Sequence, residues 1–258
     1  MTKLTAAPID IVFAFDTTGS LSACLGHVRR SVKELTKRLF SQIPELRVGV
    51  VAISDYCDKS TIYDTKWLDL TDDETEVVKF IETVRDGAGG DSPECYELAL
   101  HEARTKSWRS GRAKVFCLIA DDVPHGPEYH LNTKRINWRN ELGLLLEAGI
   151  HVYAVQALNR SHATSFYTEI AKKTNGVHLT PDQFADSNTL IMAVCYKQKS
   201  DDDLKGFEKE VKEKGKMNRN VDGMFSVLLG RKPEAVFKDA DLTAVPPGRF
   251  QIIEVDAH

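Results

Sequence analysis

The sequence predicts an α/β fold, with a doubly wound, mostly parallel central sheet and helices on both of its faces. Short runs of apolar residues alternate along the chain with longer segments whose apolar residues recur at helical spacing. Most of the short runs are apolar throughout, which is typical of parallel strands that are covered on both faces. With 258 residues, the chain is long enough to bury a sizeable core of this kind.

The first half of the chain alternates strands and helices in the order that such a sheet requires. The predicted strands here are residues 9–16, 47–54 and 61–70. The last of these carries more polar residues, so we expect it at an edge of the sheet. One predicted helix runs from about Leu21 to Phe40. A second follows a cap at residues 71–73 and continues to Val84.

The second half continues the alternation. A glycine-rich loop at residues 87–94 leads into a helix, for which Ser92 is the predicted N-cap and Pro93 the first residue. The predicted strands are residues 114–120, 150–155 and 177–179. The predicted helices are residues 137–147, ended by Gly149, residues 161–173, which end near Gly176, and residues 181–194.

The composition changes at the end of this alternation, so we predict a domain over residues 8–197 and an extension over residues 198–258. Residues 200–217 are dense in charge and indicate a linker with an exposed helix. Residues 224–229 and 249–255 are predicted to be two strands that flank a proline-rich loop. Because this α+β extension is too short for a robust core of its own, we expect it to pack on the main domain.

Charge and cysteine usage argue against several classes of protein. There are 34 basic and 38 acidic residues, and the net charge of −4 argues against a nucleic-acid-binding surface. The five cysteines follow no metal or redox spacing, which favours a reducing compartment over a disulfide framework. The sequence has no signal-peptide pattern near its start and no apolar run that could span a bilayer. We therefore expect a soluble protein of the cytoplasm.

The candidate site begins where the first predicted strand ends. Asp16, Thr18 and Ser20 alternate there, so one carboxylate and two hydroxyls can converge above the strand. Hard oxygen ligands of this kind suit Mg²⁺ better than Zn²⁺. The same residues could instead be ordinary N-cap residues of the helix that follows.

Two further polar clusters fall at comparable places in the predicted sheet. Residues 89–94 lie in the glycine-rich loop, and Asp121 and Asp122 directly follow the most apolar strand. In a doubly wound sheet, the carboxyl ends of the strands and the loops above them can meet at the switch point. Each cluster alone is a weak signal, but together they predict an oxygen-rich cation site.

This combination of motifs resembles the metal-ion-dependent adhesion site (MIDAS) of the von Willebrand factor A domain family, over roughly residues 8–197. The pattern of that family is D-x-S-x-S, then a Thr in a glycine-rich loop, then an Asp after a central strand. The resemblance implies that Asp16 and Asp121 hold a metal through waters, while Thr18 and Ser20 coordinate it directly. It implies Mg²⁺ as the cofactor, with Mn²⁺ or Ca²⁺ as alternatives.

The sequence departs from the family pattern in two places. Asp91 stands where most members have Thr, and it is the preferred third ligand because it directly follows two glycines. Counting back from the apolar residues of the next helix would place Glu94 there instead. Asp122 replaces the usual Gly and could lie behind the ligands. The GGDxPE loop is similar to a subgroup that includes domains beside alpha-kinases and bacterial relatives.

The resemblance implies a non-catalytic protein-interaction module in a larger intracellular complex, where an acidic side chain of a protein partner completes the metal shell. One alternative is a scaffold whose metal site has decayed, since Asp91 replaces Thr. A metal-dependent hydrolase or phosphotransferase is a weaker alternative. No G-x-x-x-x-G-K-[ST] loop occurs, and Thr18 replaces the second Asp of the D-x-D phosphotransferase pattern.

Overall fold

The structure, a computed structural model, describes residues 8–90, 92–158, 160–179 and 187–231. The strands are β1 (Ile9–Asp16), β2 (Arg47–Ile53), β3 (Thr65–Thr71), β4 (Ala113–Ala120), β5 (Ile150–Gln156) and β6 (His178–Leu179). They form one sheet in the order β3-β2-β1-β4-β5-β6. Every pairing is parallel except that of β3, which lies at one edge and is antiparallel to β2. The predicted α/β class with a mostly parallel sheet is confirmed.

Helices cover both faces of this sheet. They are α1 (Ser22–Gln42), α2 (Glu74–Thr83), α3 (Tyr96–Ala103), α4 (Trp138–Glu147), α5 (Thr164–Lys173), α6 (Ser187–Lys199), α7 (Asp201–Glu213) and α8 (Arg219–Leu229). Alternate residues of β1 face opposite layers: Phe13 and Phe15 pack with α1, α2 and α6–α8, while Val12 and Ala14 pack with α3, α4 and α5. Both faces of β1 are buried, which explains why its sequence is apolar almost throughout.

β1 lies in the middle of the sheet and determines where a site can form. It pairs in register with β2 on one side and β4 on the other, so that Asp16 lies opposite Ile53 and Phe15 opposite Ile119. The carboxyl ends of these three strands therefore share one edge of the sheet. From that edge the chain continues from β1 to α1 on one face and from β4 to α4 on the other, which makes it a switch point.

The prediction that Ser92 caps α3 and Pro93 opens it is wrong. The helix begins at Tyr96, two residues after Glu94. The backbone N–H of Glu94 donates to the carbonyl of Val123 at 2.9 Å, in the segment after β4. This bond ties the loop to the neighbouring strand end, so the loop crosses the sheet edge before the helix begins.

The prediction of a strand over residues 224–229 is also wrong, because these residues lie in α8. The side chain of Asn218 caps this helix through the N–H of Val221 at 2.9 Å, and Gly230 ends it with φ of 67°. The buried residues of α8 recur at helical spacing; they include Val221, Met224, Phe225 and Leu228. A short apolar run alone cannot distinguish a strand from a buried helical segment, and here the flanking caps favour the helix.

The prediction of a linker with an exposed helix over residues 200–217 also needs correction. α6 ends at Lys199, and Ser200 directly caps α7 by accepting from the N–H of Asp203 at 3.0 Å. One face of α7 is buried in the same core layer as Phe13; its residues are Leu204, Phe207 and Val211. The interleaved charges lie on the other face of an amphipathic helix.

Two predicted segments lie outside the described residues: the strand over residues 249–255 and the start of the helix over residues 181–194. Within the part of the chain that the structure describes, every helix is too short or too polar to cross a membrane.

Candidate metal site

The turn after β1 brings the first three predicted ligands to the switch point. Asp16 is the last residue of β1, and the following N–H of Thr17 donates to the carbonyl of Ile53 at 2.7 Å. Gly19 then passes close to the glycine-rich loop, because a Cβ atom on it would lie 2.9 Å from the carbonyl oxygen of Ala88. The chain can turn into α1 at this point only with a residue that lacks a side chain.

Four of the five predicted ligands are linked by short contacts. The backbone N–H and the hydroxyl of Thr18 both donate to Asp16 Oδ1 at 2.7 Å. The hydroxyl of Ser20 lies 3.4 Å from that of Thr18 and donates to Asp121 Oδ1 at 3.0 Å. The structure thus brings together Asp16, Thr18, Ser20 and Asp121, while Asp91 lies outside the described residues.

The second oxygen of Asp16 is held from α3. Its Oδ2 accepts the phenolic hydroxyl of Tyr96, whose oxygen in turn accepts the backbone N–H of Asp122 at 3.3 Å. Burial and, after it, the nearby carboxylate of Asp121 together raise the pKa of Asp16 to about 7, against the lowering effect of its hydrogen bonds. A cation bound beside these two carboxylates would lower the pKa of Asp16, because it would stabilise the ionised form against burial and against the charge of Asp121.

Glu94, which we considered as an alternative to Asp91, lies at this site. Its side chain is only 5% exposed, and its Oε2 atom has no hydrogen-bond partner among the described residues. Burial first, and then the nearby carboxylates, chiefly that of Asp16, raise its pKa to about 10. A buried carboxylate oxygen without a partner is rare in proteins and indicates room for a missing partner.

Arg160, from the turn before α5, contacts both carboxylates that follow β4. Its Nη2 lies 2.9 Å from Asp121 Oδ2, and its Nη1 donates to Asp122 Oδ2 at 2.7 Å. Burial raises the pKa of Asp121 more than Arg160 lowers it, so the net shift is upward. Asp122 differs: hydrogen bonds, chiefly from His162 and Ser92, outweigh the effect of burial and lower its pKa.

The backbone of the glycine-rich loop is held by hydrogen bonds to a buried carboxylate. Asp58 Oδ2 accepts the backbone N–H groups of Ala88 at 3.1 Å and Gly89 at 2.9 Å, and also the hydroxyl of Ser54. Gly87 packs so tightly there that a Cβ on it would lie 1.8 Å from Ser54 Oγ. Close packing is therefore enough to explain why residue 87 is a glycine, whether or not the loop also binds a ligand.

A second polar contact supports the segment after β4. His125 Nε2 lies 2.9 Å from Asp55 Oδ1, both side chains are buried, and the ring of Tyr129 stacks on the imidazole with centroids 3.7 Å apart. The backbone N–H of His125 donates to the carbonyl of Glu94 at 3.1 Å. Together with the bond from the N–H of Glu94 to Val123, this contact fixes the backbone of Glu94 on both sides of its Cα atom.

An open pocket of about 360 Å³ lies above these groups. Its walls combine the backbone of residues 88–90 with side chains that include Ser20, Glu94, Asp122 and Arg160. Of the four converging residues, Ser20 lines this pocket, whereas Asp16, Thr18 and Asp121 are buried and reach it through their contacts with Ser20.

The donor set fits a hard divalent cation. Neighbouring ligands of an octahedral Mg²⁺ ion lie about 2.9 Å apart at the usual metal–oxygen distance, and the hydroxyls of Thr18 and Ser20 are already 3.4 Å apart. Each hydroxyl donates its proton to a carboxylate and keeps lone pairs for a metal. Within the described residues, no group of three or more His, Cys, Asp or Glu side chains could hold a metal ion. A site here therefore depends on the two hydroxyls.

Two residues at this site were missed by the sequence reasoning. Tyr96 lies in a helix whose apolar pattern predicts packing only, and no local signal indicates its hydroxyl contact with Asp16. Arg160 lies 39 residues after Asp121, near the end of the adjacent strand β5. The place of Arg160 at a strand end was a usable signal, because the carboxyl ends of neighbouring parallel strands share one edge.

Comparison with known proteins identifies relatives of this chain. The profile of the von Willebrand factor type A domain family matches residues 10–193. The chain is similar to the alpha-protein kinase vwkA of Dictyostelium discoideum, with 26% identity over 47% of this chain and 20% of that protein. It is also similar to an ariadne-like RING finger protein of Acanthamoeba polyphaga mimivirus, with 22% identity over 83% of this chain and 22% of that protein. The chain thus spans about a fifth of the length of these relatives.

Three solved structures with a similar fold are bacterial proteins. The conserved hypothetical protein BatB from Bacteroides thetaiotaomicron has a TM-score of 0.50 and 15% identity, over 78% of this chain and 99% of that one. An aerotolerance-related membrane protein from Bacteroides fragilis has a TM-score of 0.52 and 16% identity, over 73% and 99%. The pilus adhesin SpaC from Lactobacillus rhamnosus GG has a TM-score of 0.52 and 19% identity, over 78% and 30%. At these identities the likeness concerns the fold alone.

The matched region contains β1 from its second residue, all of β2 to β6 and the four oxygen-bearing residues that converge at the switch point. The chain belongs to the von Willebrand factor type A domain family.

Proposed function

We propose that this chain is a protein-interaction module whose binding depends on a divalent cation at a MIDAS-type site. The observation that carries the proposal is the contact series from Asp16 through Thr18 and Ser20 to Asp121, which meets an open pocket at Ser20. The family supports an interaction module rather than an enzyme. The metal dependence is our inference from the donor set.

In this proposal the two hydroxyls of Thr18 and Ser20 hold Mg²⁺ directly, and Asp16 and Asp121 orient its bound waters. Glu94 is the described acidic residue of the loop that can face the metal, because its Oε2 atom has no other partner among the described residues. Asp91 remains the alternative. When bound, the metal supplies an open coordination position for a carboxylate of the partner.

We further propose that the chain belongs to the subgroup with a GGDxPE loop. The similarity to an alpha-protein kinase of Dictyostelium discoideum supports this placement. We infer no kinase activity for this chain, because it spans about a fifth of that protein. We propose that it works in the cytoplasm as one component of a larger complex.

Thermal unfolding of the wild type and of Asp16→Ala, each with excess EDTA and with millimolar Mg²⁺ or Mn²⁺, tests the metal site. A ligand that binds only the folded state raises its stability by about 2.7 kcal/mol at one hundred times the dissociation constant. We expect the metal to raise the melting temperature of the wild type and to leave that of Asp16→Ala unchanged.

Asp73→Ala is the matched control, because Asp73 caps α2 far from the site through the N–H groups of Thr75 and Glu76. This variant should lose about 1 kcal/mol of stability and keep the metal-dependent shift. An unchanged wild-type melting temperature with metal would favour the scaffold with a decayed site. Capture of partners from an extract with and without EDTA then tests whether the interaction needs the metal.

A further inference from the structure

We propose that Arg160 is a switching cation of this site, which pairs with Asp121 and Asp122 when no metal is bound and binds the carboxylate of an acidic partner when a metal is present. The inference rests on the proposed metal site and adds a second recognition group beside it. The partner chemistry is an Asp or Glu side chain, or a terminal carboxylate, shared between the metal and the guanidinium.

The first observation is the position of the guanidinium group. Arg160 contacts Oδ2 of Asp121 at 2.9 Å and Oδ2 of Asp122 at 2.7 Å, so it lies over the floor of the site. Oδ1 of the same Asp121 carboxylate accepts the hydroxyl of Ser20, one of the two direct metal ligands in our proposal. Arg160 therefore neutralises a carboxylate that the metal would also require.

The second observation is that the main chain of Arg160 is fixed while its side chain is not enclosed. Its backbone carbonyl accepts the side-chain amide of the buried Gln156 at 2.7 Å, and its N–H donates to the carbonyl of Leu158 at 2.8 Å. The side chain is 32% exposed and lines the open pocket. Rotation of the side chain from this fixed backbone can move the guanidinium between the pocket floor and its mouth.

The third observation is that the two carboxylates differ in what they lose when Arg160 moves. Asp122 keeps three donors: the hydroxyl of Ser92 at 2.8 Å, His162 Nε2 at 3.0 Å and the N–H of Val123 at 2.9 Å. Asp121 would exchange the guanidinium for the field of the metal. Both carboxylates thus remain compensated without Arg160.

Electrostatics then determine the direction of the switch. A divalent cation and a guanidinium repel each other, so a metal bound beside Asp121 weakens the pairing of Arg160 with that carboxylate. A planar carboxylate in the pocket mouth can accept both hydrogen bonds of the guanidinium fork, and one of its oxygens can bind the metal with its remaining lone pair. Of the named pocket-lining side chains, Glu94 and Asp122 are acidic, so an anionic partner requires a cationic group there.

The test uses Mn²⁺ and acetate as defined probes on the wild-type chain, Arg160→Gln and Arg160→Lys. Mn²⁺ affinity is measured by electron paramagnetic resonance, and acetate is then titrated while the water-proton relaxation of the bound Mn²⁺ is recorded. Arg139→Gln is the matched control, because Arg139 pairs with Glu169 on the surface and does not line the pocket.

We expect Arg160→Gln to bind Mn²⁺ at least as tightly as the wild type, because one competing cation is removed. Acetate should displace water from the Mn²⁺-loaded wild type and should bind about tenfold more weakly to Arg160→Gln. Arg160→Lys keeps the charge but loses the fork, so its acetate affinity should lie between the two. Arg139→Gln should match the wild type in both measurements.

The outcomes separate this inference from the proposed function. If the wild type binds no Mn²⁺, the proposed metal site fails and the inference fails with it. If Mn²⁺ binds but acetate binds equally to the wild type and Arg160→Gln, or to neither, the role of Arg160 is overturned while the metal site stands. Weaker Mn²⁺ binding by Arg160→Gln would also overturn the switch, because Arg160 would then hold the carboxylates in place for the metal.

Discussion

Tyr96 connects the two strands that supply the candidate site. Its hydroxyl donates to Asp16 at the end of β1 and accepts from the N–H of Asp122 after β4. The carboxylate of Asp16 is buried and accepts hydrogen bonds from Thr18 and Tyr96. These hydrogen bonds lower its pKa, whereas burial and the carboxylate of Asp121 raise it. One phenol from α3 thereby keeps the carboxylate of Asp16 oriented without contacting the pocket.

Tyr96→Phe should lower the free energy of unfolding by about 2 kcal/mol, because it leaves a buried carboxylate oxygen and a buried N–H without a partner. Urea unfolding at pH 8 with EDTA measures this, since the pKa of Asp16 is raised to about 7 and the carboxylate is largely ionised at pH 8. Removal of the hydroxyl should also raise the pKa of Asp16 further.

Tyr167→Phe is the matched control for that measurement. Tyr167 is equally buried and lies against the same layer, but its hydroxyl has no hydrogen-bond partner within the described residues. Its removal should change stability by less than about 0.5 kcal/mol or should stabilise the fold. Equal losses for the two variants would contradict the assigned role of Tyr96.

At the scale of elements, α8 shows how a helix can resemble a strand in sequence. Residues 224–229 are apolar except for Ser226, and this short apolar run is the basis of the strand prediction. In the structure Phe225 is fully buried, whereas Val227, two residues later, is 58% exposed. In a strand, side chains two apart face the same side, so this difference agrees with a helix.

Phe225→Ala should destabilise the fold by about 3–5 kcal/mol, because Phe225 packs in the same layer as Phe13 and Phe15. Val227→Ala should stay within about 0.5 kcal/mol of the wild type, since its side chain is mostly exposed. Chemical unfolding of both variants measures the contrast. Comparable losses would restore the strand interpretation, in which both side chains face the same layer.

At the scale of the whole molecule, four buried acidic groups lie close together at one edge of the sheet. The net charge of −4 is modest, yet Asp16, Glu94, Asp121 and Asp122 are all nearly buried at the switch point. Burial and mutual repulsion raise the pKa values of Asp16, Glu94 and Asp121. Folding without a metal therefore takes up protons at this edge.

Stability without metal should therefore fall as the pH rises. Glu94 releases its proton near pH 4.5 in the unfolded chain, but its pKa in the folded chain is raised to about 10. The contribution of the protonated Glu94 to the free energy of unfolding is complete below the pKa of the unfolded chain, and it is lost as the pH rises toward the pKa of the folded chain. In Glu94→Gln this loss is absent, so between pH 6 and pH 8 in EDTA the wild type should lose about 3 kcal/mol more than the variant.

Urea unfolding at pH 6, 7 and 8 measures the difference between the two proteins. Asp16 shifts in the same direction, so both proteins should still lose some stability over this range. Parallel curves for the wild type and Glu94→Gln would mean that Glu94 ionises normally in the folded state. That result would place its side chain in solvent rather than at the floor of the pocket.

The sequence by itself determined the sheet, its edge strand β3 and the turn that carries Asp16, Thr18 and Ser20. These features depend on local pattern: apolar runs make buried strands, and a strand–turn–helix unit fixes the spacing of its own residues. Asp121 could be predicted in the same way, since it directly follows the most apolar strand. The parallel arrangement then brings the ends of β1 and β4 together.

Only the tertiary structure decided the remaining members of the site. Glu94 faces the floor of the site because its backbone bonds to Val123 across the loop, which counting along the sequence does not reveal. Tyr96 and Arg160 reach the acidic residues from α3 and from the turn before α5, across the sheet edge. Such contacts depend on how separate elements pack, because burial and pairing of charge are properties of the assembled edge and not of any one segment.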